Sequence, residues 1–377
     1  MKKTIIVSAV NLVEGGPLTV LQECLGYLSG DLASQFEIVA LVNREGLLPF
    51  KNIKYLEFPK AKKSWLNRLS YEYYYFNKLA KRFNPVLWLS LHDMTPNVSV
   101  PRQAVYCHNA SPFYKLSFKE AWLDPKFALF NLFYRYLYLI NIKRNDFVDV
   151  QQNCLRNKFK QFVSTDKIIV AHPSVSSREK MDSAVAATES EQAETIFFYP
   201  SLPRVFKNFE VIGQAAGILI KQGVDNFQIV LTISGDENRY SRYIYNSFKH
   251  IKNIKFLGIQ DRDSIFKLYQ KSVCVIFPSK LETWGLPITE AKLFRKPLLL
   301  VNLEYAHETL GAYDRVKFFE TDNVQQLAQA MKDVISQSVI FEKTEDQAIA
   351  APFTQNWKEL FDILLRGFEK MVDCNLK

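Results

Sequence analysis

The stretch Val273-Cys274-Val275-Ile276-Phe277-Pro278-Ser279-Lys280-Leu281-Glu282-Thr283-Trp284-Gly285-Leu286-Pro287-Ile288-Thr289-Glu290-Ala291 changes its pattern twice. Residues 273–277 form a continuous apolar run, as a strand buried on both faces requires. From Pro287 onward the pattern is that of a helix, with proline near the first turn, where its missing N–H costs nothing. Strand, loop and helix in this order make half of a βαβ unit, the repeat of a parallel sheet. The N–H groups at the start of such a helix favour anions, above all phosphates. Glu282 and Glu290 would then flank a phosphorylated ligand, although a chain this rich in Glu supplies about one such spacing by chance.

The same alternation extends outward in both directions. Upstream, apolar runs at Thr4–Val10, Glu37–Val42, Val86–Leu91, Gln103–Tyr106, Asp146–Gln151 and Lys167–Val170 are separated by helix-like stretches. A second series runs through Thr195–Tyr199, Gln228–Ile233, Ile254–Phe256, Val273–Phe277, Pro297–Val301 and Val316–Phe318. Between the series, Ser174–Glu194 is rich in Ser, Ala, Glu, Thr and Gln and has no aromatic residue, reading as an exposed linker. The expected fold is therefore α/β: two Rossmann-like, doubly wound domains, residues 1–172 and 195–352, joined by a linker at 173–194 and facing across a cleft. A helix within 353–377 carries apolar residues at helical spacing and is expected to pack, with the first domain as one place for it. Ligands of such sheets collect at the carboxyl ends of the strands.

A length of 377 residues suits two domains, and 48% hydrophobic with 23% charged residues excludes a disordered chain. Five scattered cysteines, none in a CxxC pair, fit a reduced, cytoplasmic compartment and no zinc site. The start Met1–Val10 reads as a first buried strand rather than a signal peptide, because its apolar run is short and leads into a Glu-Gly-Gly-Pro turn. No run is long and apolar enough to span a bilayer. The net charge of +9 is uneven: residues 1–172 hold 23 Lys/Arg against 13 Asp/Glu, and the remainder 25 against 26. The first domain is thus expected to meet an anionic partner. No helix-turn-helix, zinc or RRM pattern accompanies the charge, so nucleic acid is not the expected partner.

Three further segments fall at strand ends. Glu14-Gly15-Gly16-Pro17 follows the first strand and opens a helix, reading equally as a plain turn or as a close approach of backbone to a ligand. Arg204 and Lys207 lie on the loop after Thr195–Tyr199, placed to neutralise a diphosphate. His108 follows Gln103–Tyr106, and His92 competes with it as the histidine of the first domain. Ser234-Gly235-Asp236-Glu237 ends another strand.

Taken together these segments resemble the family-4 retaining glycosyltransferases of GT-B fold, over nearly the whole chain. Pro278-Ser279, Glu282-Thr283-Trp284-Gly285-Leu286-Pro287 and Glu290-Ala291 are similar to that family's E-x7-E signature and its flanking elements. Lys207-Asn208 resembles its lysine loop, Gly15-Gly16 its glycine loop, and His108 sits where such enzymes often carry an active-site histidine. The resemblance implies a UDP- or GDP-linked sugar bound mainly by the second domain. Glu290 would bond the ribose, Lys207 and the Gly285–Leu286 backbone the diphosphate, and Glu282 would lie near the transferred sugar. His108 and Gly16 would act from the first domain, and neither a metal nor another cofactor is implied. The family commonly has arginine where this chain has Ser201, so either Arg204 substitutes or the phosphate is held differently. Trp284 replaces the usual phenylalanine.

The implied activity is transfer of a hexosyl or deoxyhexosyl unit to a saccharide acceptor, with a polyprenyl-diphosphate-linked one expected, in surface polysaccharide assembly. A nucleotide-sugar epimerase, a phosphorylase and a non-catalytic subunit of the same fold are the alternatives. Residues 60–82 hold seven cations, one acid and an aromatic stripe. They read either as a helix in an anionic membrane interface, which would make the protein peripheral on the inner membrane face, or as a helix packed on the first sheet. The aromatic-rich stretch 113–142 reads mostly as core.

Overall fold

The computed structural model describes residues 2–173 and 195–368; most of the expected linker and the end of the C-terminal stretch, Cys374 included, lie outside the described residues. The chain divides into two compact units. One comprises residues 1–113, 133–176 and 349–377, the other residues 114–132 and 177–348.

The first unit is built on an eight-stranded, all-parallel sheet. Its strands are β1 (Lys3–Ala9), β2 (Phe36–Val42), β3 (Ile53–Glu57), β4 (Leu87–Ser90), β5 (Gln103–Cys107), β6 (Phe147–Val150), β7 (Ile168–Ala171) and β15 (Phe353–Thr354). Their order is β15-β7-β6-β5-β4-β1-β2-β3. β1, β4, β5 and β7 are buried along nearly their whole length, as expected for strands with helices on both faces. The helices Gly15–Tyr27 and Trp357–Leu364 cover one face, where Leu21, Leu25, Leu360, Phe361 and Leu364 join the core under β1 and β2.

Residues 60–82 form the helices Trp65–Ser70 and Phe76–Phe83 with a wider turn between them. Phe76 packs on Trp88 and Phe58, so much of the aromatic stripe belongs to the sheet's other face, while Trp65, Leu66 and Tyr74 stay exposed. The stretch 113–142 departs from the reading as core. Its helices Phe118–Leu123 and Pro125–Leu139 bury Phe127, Tyr134 and Tyr138 but leave Phe118, Trp122, Leu129, Leu132, Phe133 and Tyr136 exposed.

The second unit carries a seven-stranded sheet in the order β10-β9-β8-β11-β12-β13-β14. Its strands are β8 (Thr195–Tyr199), β9 (Phe227–Leu231), β10 (Ile254–Phe256), β11 (Cys274–Phe277), β12 (Leu298–Val301), β13 (Tyr313–Phe319) and β14 (Glu342–Thr344). All pairs are parallel except β13 with β14. Both sheets thus have the Rossmann-like order, reversing at β1/β4 in one and at β8/β11 in the other, and such reversals are where α/β sheets bind ligands.

One boundary differs from the sequence reading. Residues 114–132, placed by sequence in the first domain, pack in the second unit, because Tyr114 and Phe127 close on Phe206 and Asp124 pairs with Arg204.

Candidate active site

The reversal of the second sheet gathers most of the candidate residues. β8 ends at Tyr199, and its loop carries Arg204 and Lys207 before the helix Phe209–Lys221. β11 ends at Phe277, and its loop carries Glu282 before the helix Leu286–Leu293. The two strands are neighbours, so their loops meet: Lys280 N–H donates to the Phe206 carbonyl at 2.7 Å. Tyr199 Oη donates to the Lys207 carbonyl at 2.8 Å, and Asn208 takes a left-handed φ of 56°, which turns the chain into the next helix. These contacts fix the backbone of Lys207. Its Nζ lies 2.5 Å from Glu282 Oε1, with both side chains largely shielded from solvent.

Gly285 begins the following helix at φ 88°, a conformation glycine adopts without penalty, with proline in the first turn. A Cβ there would stand 3.2 Å from Ile288 Cδ1 and 3.7 Å from Glu282 Cγ, so the turn and the carboxylate are in close register. The start of this helix, at Gly285–Leu286, therefore lies close to Glu282 of the Lys207–Glu282 pair. Cations and helix N-termini both favour anions.

Glu290 lies further along the same helix and is buried. Its Oε1 accepts from Arg262 at 2.6 Å and its Oε2 from Tyr269 Oη at 2.9 Å. A carboxylate has more lone pairs than these two donors fill, so both it and the half-exposed Arg262 keep capacity for a ligand. Arg204 is ion-paired with Asp124 at 3.3 Å and remains half exposed. Lys280, which sequence reasoning passed over, bridges Glu120 at 3.7 Å and Asp322 at 2.9 Å.

At the end of β9, Glu237 folds back over its own loop. Its carboxylate accepts from Ser234 N–H at 2.6 Å, Ser234 Oγ at 3.0 Å and Gly235 N–H at 3.0 Å. Burial alone would raise its pKa, but these hydrogen bonds outweigh burial and hold it below the usual range. Nearby, Glu210 shares a hydrogen bond with Tyr240 Oη, and burial raises its pKa.

In the first unit, Gly15 and Gly16 open the helix Gly15–Tyr27 at the carboxyl end of β1, with Gly15 at φ 65°. Glu14 is tied to Lys62 at 2.8 Å, and this hydrogen bond lowers its pKa. His108 follows β5. Its Nε2 lies 2.6 Å from the Leu91 carbonyl, and since a carbonyl only accepts, Nε2 carries the proton and Nδ1 is left as the acceptor. Burial lowers its pKa, so the ring is neutral at pH 7. Asp93, at a left-handed φ of 69°, gathers the His108 N–H, Tyr134 Oη and Tyr138 Oη. His92 is different: it is fully buried against Glu72 at 2.5 Å, with Arg68 donating to its carbonyl at 2.8 Å. Of the two histidines, His92 is fully buried and His108 is partly exposed.

Arg262, Tyr269 and the acids Glu120 and Asp124 were not singled out by sequence. Arg262 offers the one usable signal, a cation opening the helix Arg262–Lys271 just after β10. The four described cysteines are buried and unpaired with one another. Among the described residues, no three His, Cys, Asp or Glu side chains come together as a metal site would need.

Comparison with known proteins follows the same lines. Residues 181–352 match the family described as "Glycosyl transferases group 1". The chain is 21% identical over 306 residues to the "Serotype-specific mannosyltransferase WbdA" of Escherichia coli, a match covering 75% of this chain and 36% of that protein. It thus spans about a third of the length of the relative it matches. Among solved structures it resembles the "lipopolysaccharide outer core galactosyltransferase WaaB apo form", with TM-score 0.61 and 11% identity, covering 99% of this chain and 100% of that one. It also resembles "Anabaena Alr3699/HepE in complex with UDP-glucose", with TM-score 0.57 and 15% identity, covering 89% of this chain and 90% of that one.

Two sheets of this order, with these neighbours, define a GT-B protein. Its residues 181–352 are similar to the glycosyl transferases group 1 family.

Proposed function

We propose that the chain is a retaining glycosyltransferase, moving a hexosyl unit from a nucleotide-diphosphate sugar to a saccharide acceptor in surface polysaccharide assembly. The observation that carries the reading is the Lys207–Glu282 pair at the β8/β11 reversal, beside the helix opened by Gly285. Breaking the bond from sugar C1 to phosphate builds positive charge on the sugar and negative charge on the departing nucleoside diphosphate. Lys207 Nζ and the N–H groups at Gly285–Leu286 stabilise the second charge, and Glu282, an acceptor-only carboxylate, the first. Glu290 holds the ribose hydroxyls, and Arg204 lends further positive charge to the phosphates once released from Asp124. His108, with Nδ1 as acceptor, is assigned to the sugar undergoing transfer, and Gly15 and Gly16 to donor binding. The likeness to WbdA and WaaB supports sugar transfer, and that to HepE in complex with UDP-glucose supports a sugar donor carried on a nucleotide. A UDP- or GDP-linked donor, a lipid-linked acceptor, metal-independent turnover and a place on the inner membrane face complete the proposal.

The test is product analysis with purified protein, UDP- and GDP-sugars, and a lipid-linked oligosaccharide acceptor in the presence of chelator. Transfer with the donor's anomeric configuration kept is the expected result. Inversion, or donor epimerised without acceptor, would reject the reading, as would failure of every nucleoside diphosphate to bind in calorimetry.

A further inference from the structure

Arg262 stands beside Glu290 and has no role in the donor site as described so far. It opens the helix Arg262–Lys271 at the carboxyl end of β10. Its Nη1 donates to Glu290 Oε1 at 2.6 Å, its guanidinium carbon lies 4.5 Å from the centre of the Phe266 ring, and the side chain is still 57% exposed. The carboxylate and the ring hold the plane of the guanidinium, and the Nε–Nη2 edge keeps its donors for a ligand. The neighbouring Asp261 does not capture that edge, because its carboxylate caps the helix by accepting from the Ser264 N–H at 2.7 Å.

Topology decides which part of a nucleotide this edge meets. In the sheet order β10-β9-β8-β11, Lys207 and the Gly285 turn follow β8 and β11, whereas Arg262 follows β10, two strands or about 10 Å across the sheet from β8. With the ribose on Glu290, the group on the far side of the ribose from the diphosphate is the base. The loop after β10 also exposes Leu257 and Ile259, apolar side chains of the kind that cover a flat ring and that a phosphate does not use. The donor pattern then selects among bases. Guanine alone sets two acceptors, O6 and N7, side by side; uracil offers O4 with no second acceptor next to it, and adenine and cytosine place an amino donor there, which a guanidinium cannot accept.

We propose that Arg262 reads the base of the sugar donor and that this base is guanine, its O6 and N7 bonded by the Nε–Nη2 edge. The inference rests on the donor-site reading, with Glu290 on the ribose and the Gly285 turn at the diphosphate, and the ligands of the test are chosen to separate the two. GDP, UDP, ADP and inorganic pyrophosphate are titrated by calorimetry into the parent, Arg262→Ala and Arg262→Lys. The parent should bind GDP about tenfold more tightly than UDP, and ADP least tightly of the three nucleotides. Arg262→Ala should lower GDP affinity about fivefold, the low end for one base contact because the side chain is half exposed, with a smaller loss for UDP and none for pyrophosphate, so that the GDP-to-UDP ratio falls toward one. Arg262→Lys keeps the charge but not the fork, and should lose the preference as well. A parent that binds UDP or ADP as tightly as GDP, an alanine variant that loses equally for all ligands, or a lysine variant that keeps the full preference would overturn the assignment while the donor site itself stands. Failure of every nucleoside diphosphate to bind the parent would overturn both.

Discussion

Lys207 Nζ stands 2.5 Å from Glu282 Oε1, so the cation at the end of β8 is neutralised by the carboxylate at the end of β11. A diphosphate entering beside the Gly285 turn has to compete with that carboxylate for the ammonium group. Removing the cation and removing the opposing charge should therefore act in opposite directions. Lys207→Met is expected to weaken UDP or GDP binding about tenfold to a hundredfold, the scale of one charge-assisted hydrogen bond. Glu282→Gln keeps the shape, releases Lys207, and should bind the nucleoside diphosphate as well or better while turnover falls. Calorimetry of both variants decides the matter, and a Glu282→Gln protein that binds as weakly as Lys207→Met would refute the competition.

Glu290 gives a prediction that separates ribose from phosphate. Its carboxylate is held by Arg262 and Tyr269, which position it without filling its acceptor capacity. If it receives the ribose hydroxyls, Glu290→Gln should lower affinity for a nucleoside diphosphate about tenfold and leave inorganic pyrophosphate binding unchanged. Equal losses for the two ligands would mean that Glu290 only shapes the phosphate turn. Arg262→Ala should fall between parent and Glu290→Gln, because the guanidinium is 57% exposed and its pairing is partly screened.

Much of the architecture was legible because continuous apolar runs such as Val275-Ile276-Phe277 have few other places to go than a buried parallel strand. β3 was not, because an edge strand carrying Lys54 and Glu57 lacks that run. β14, Glu342-Lys343-Thr344, and the two-residue β15 carry still less signal. Lys207 and Glu282 were each visible as strand-end residues, but their meeting across 75 positions follows only from β8 and β11 being neighbours. The donors of Glu290 and the capture of residues 114–132 by the second unit arise from tertiary contacts, which no local pattern encodes. The aromatics of 118–139 misled because burial and exposure of Phe and Tyr look alike in sequence when a helix carries aromatic residues on both its buried and its exposed side.

The Gly285 turn should be intolerant of a side chain for two separate reasons. Its φ of 88° is strained for any L-residue, and the added Cβ would crowd Ile288 Cδ1 at 3.2 Å. Gly285→Ala is therefore expected to cost about 1–2 kcal/mol in urea denaturation and to weaken UDP or GDP binding, since the first-turn N–H groups move with it. Gly46, with open space around its Cβ position, is the control, and an alanine there should change neither quantity by more than about 0.5 kcal/mol. Equal effects at the two glycines would show that the Gly285 turn has no special role.

Asp149 offers a pH-dependent prediction away from the site. It sits on β6 with no exposure, and among the described residues neither carboxylate oxygen has a hydrogen-bond partner. Burial pushes its pKa well above the ordinary value. The folded chain thus keeps a proton that the unfolded chain releases above about pH 4, so this group makes folding less favourable as pH rises from there toward its raised folded pKa. Replacing it with valine, a β-branched residue suited to a buried strand, should stabilise the protein by about 1–3 kcal/mol near pH 7.5, with the gain shrinking near pH 4.5. The neutral His108 acts with the opposite slope, its contribution being lost as pH falls below about 6.5, but it is present in parent and variant and cancels in their difference. Urea denaturation of Asp149→Val and parent at the two pH values checks the argument, and a gain that does not change with pH would show that the buried carboxyl is not the titrating group.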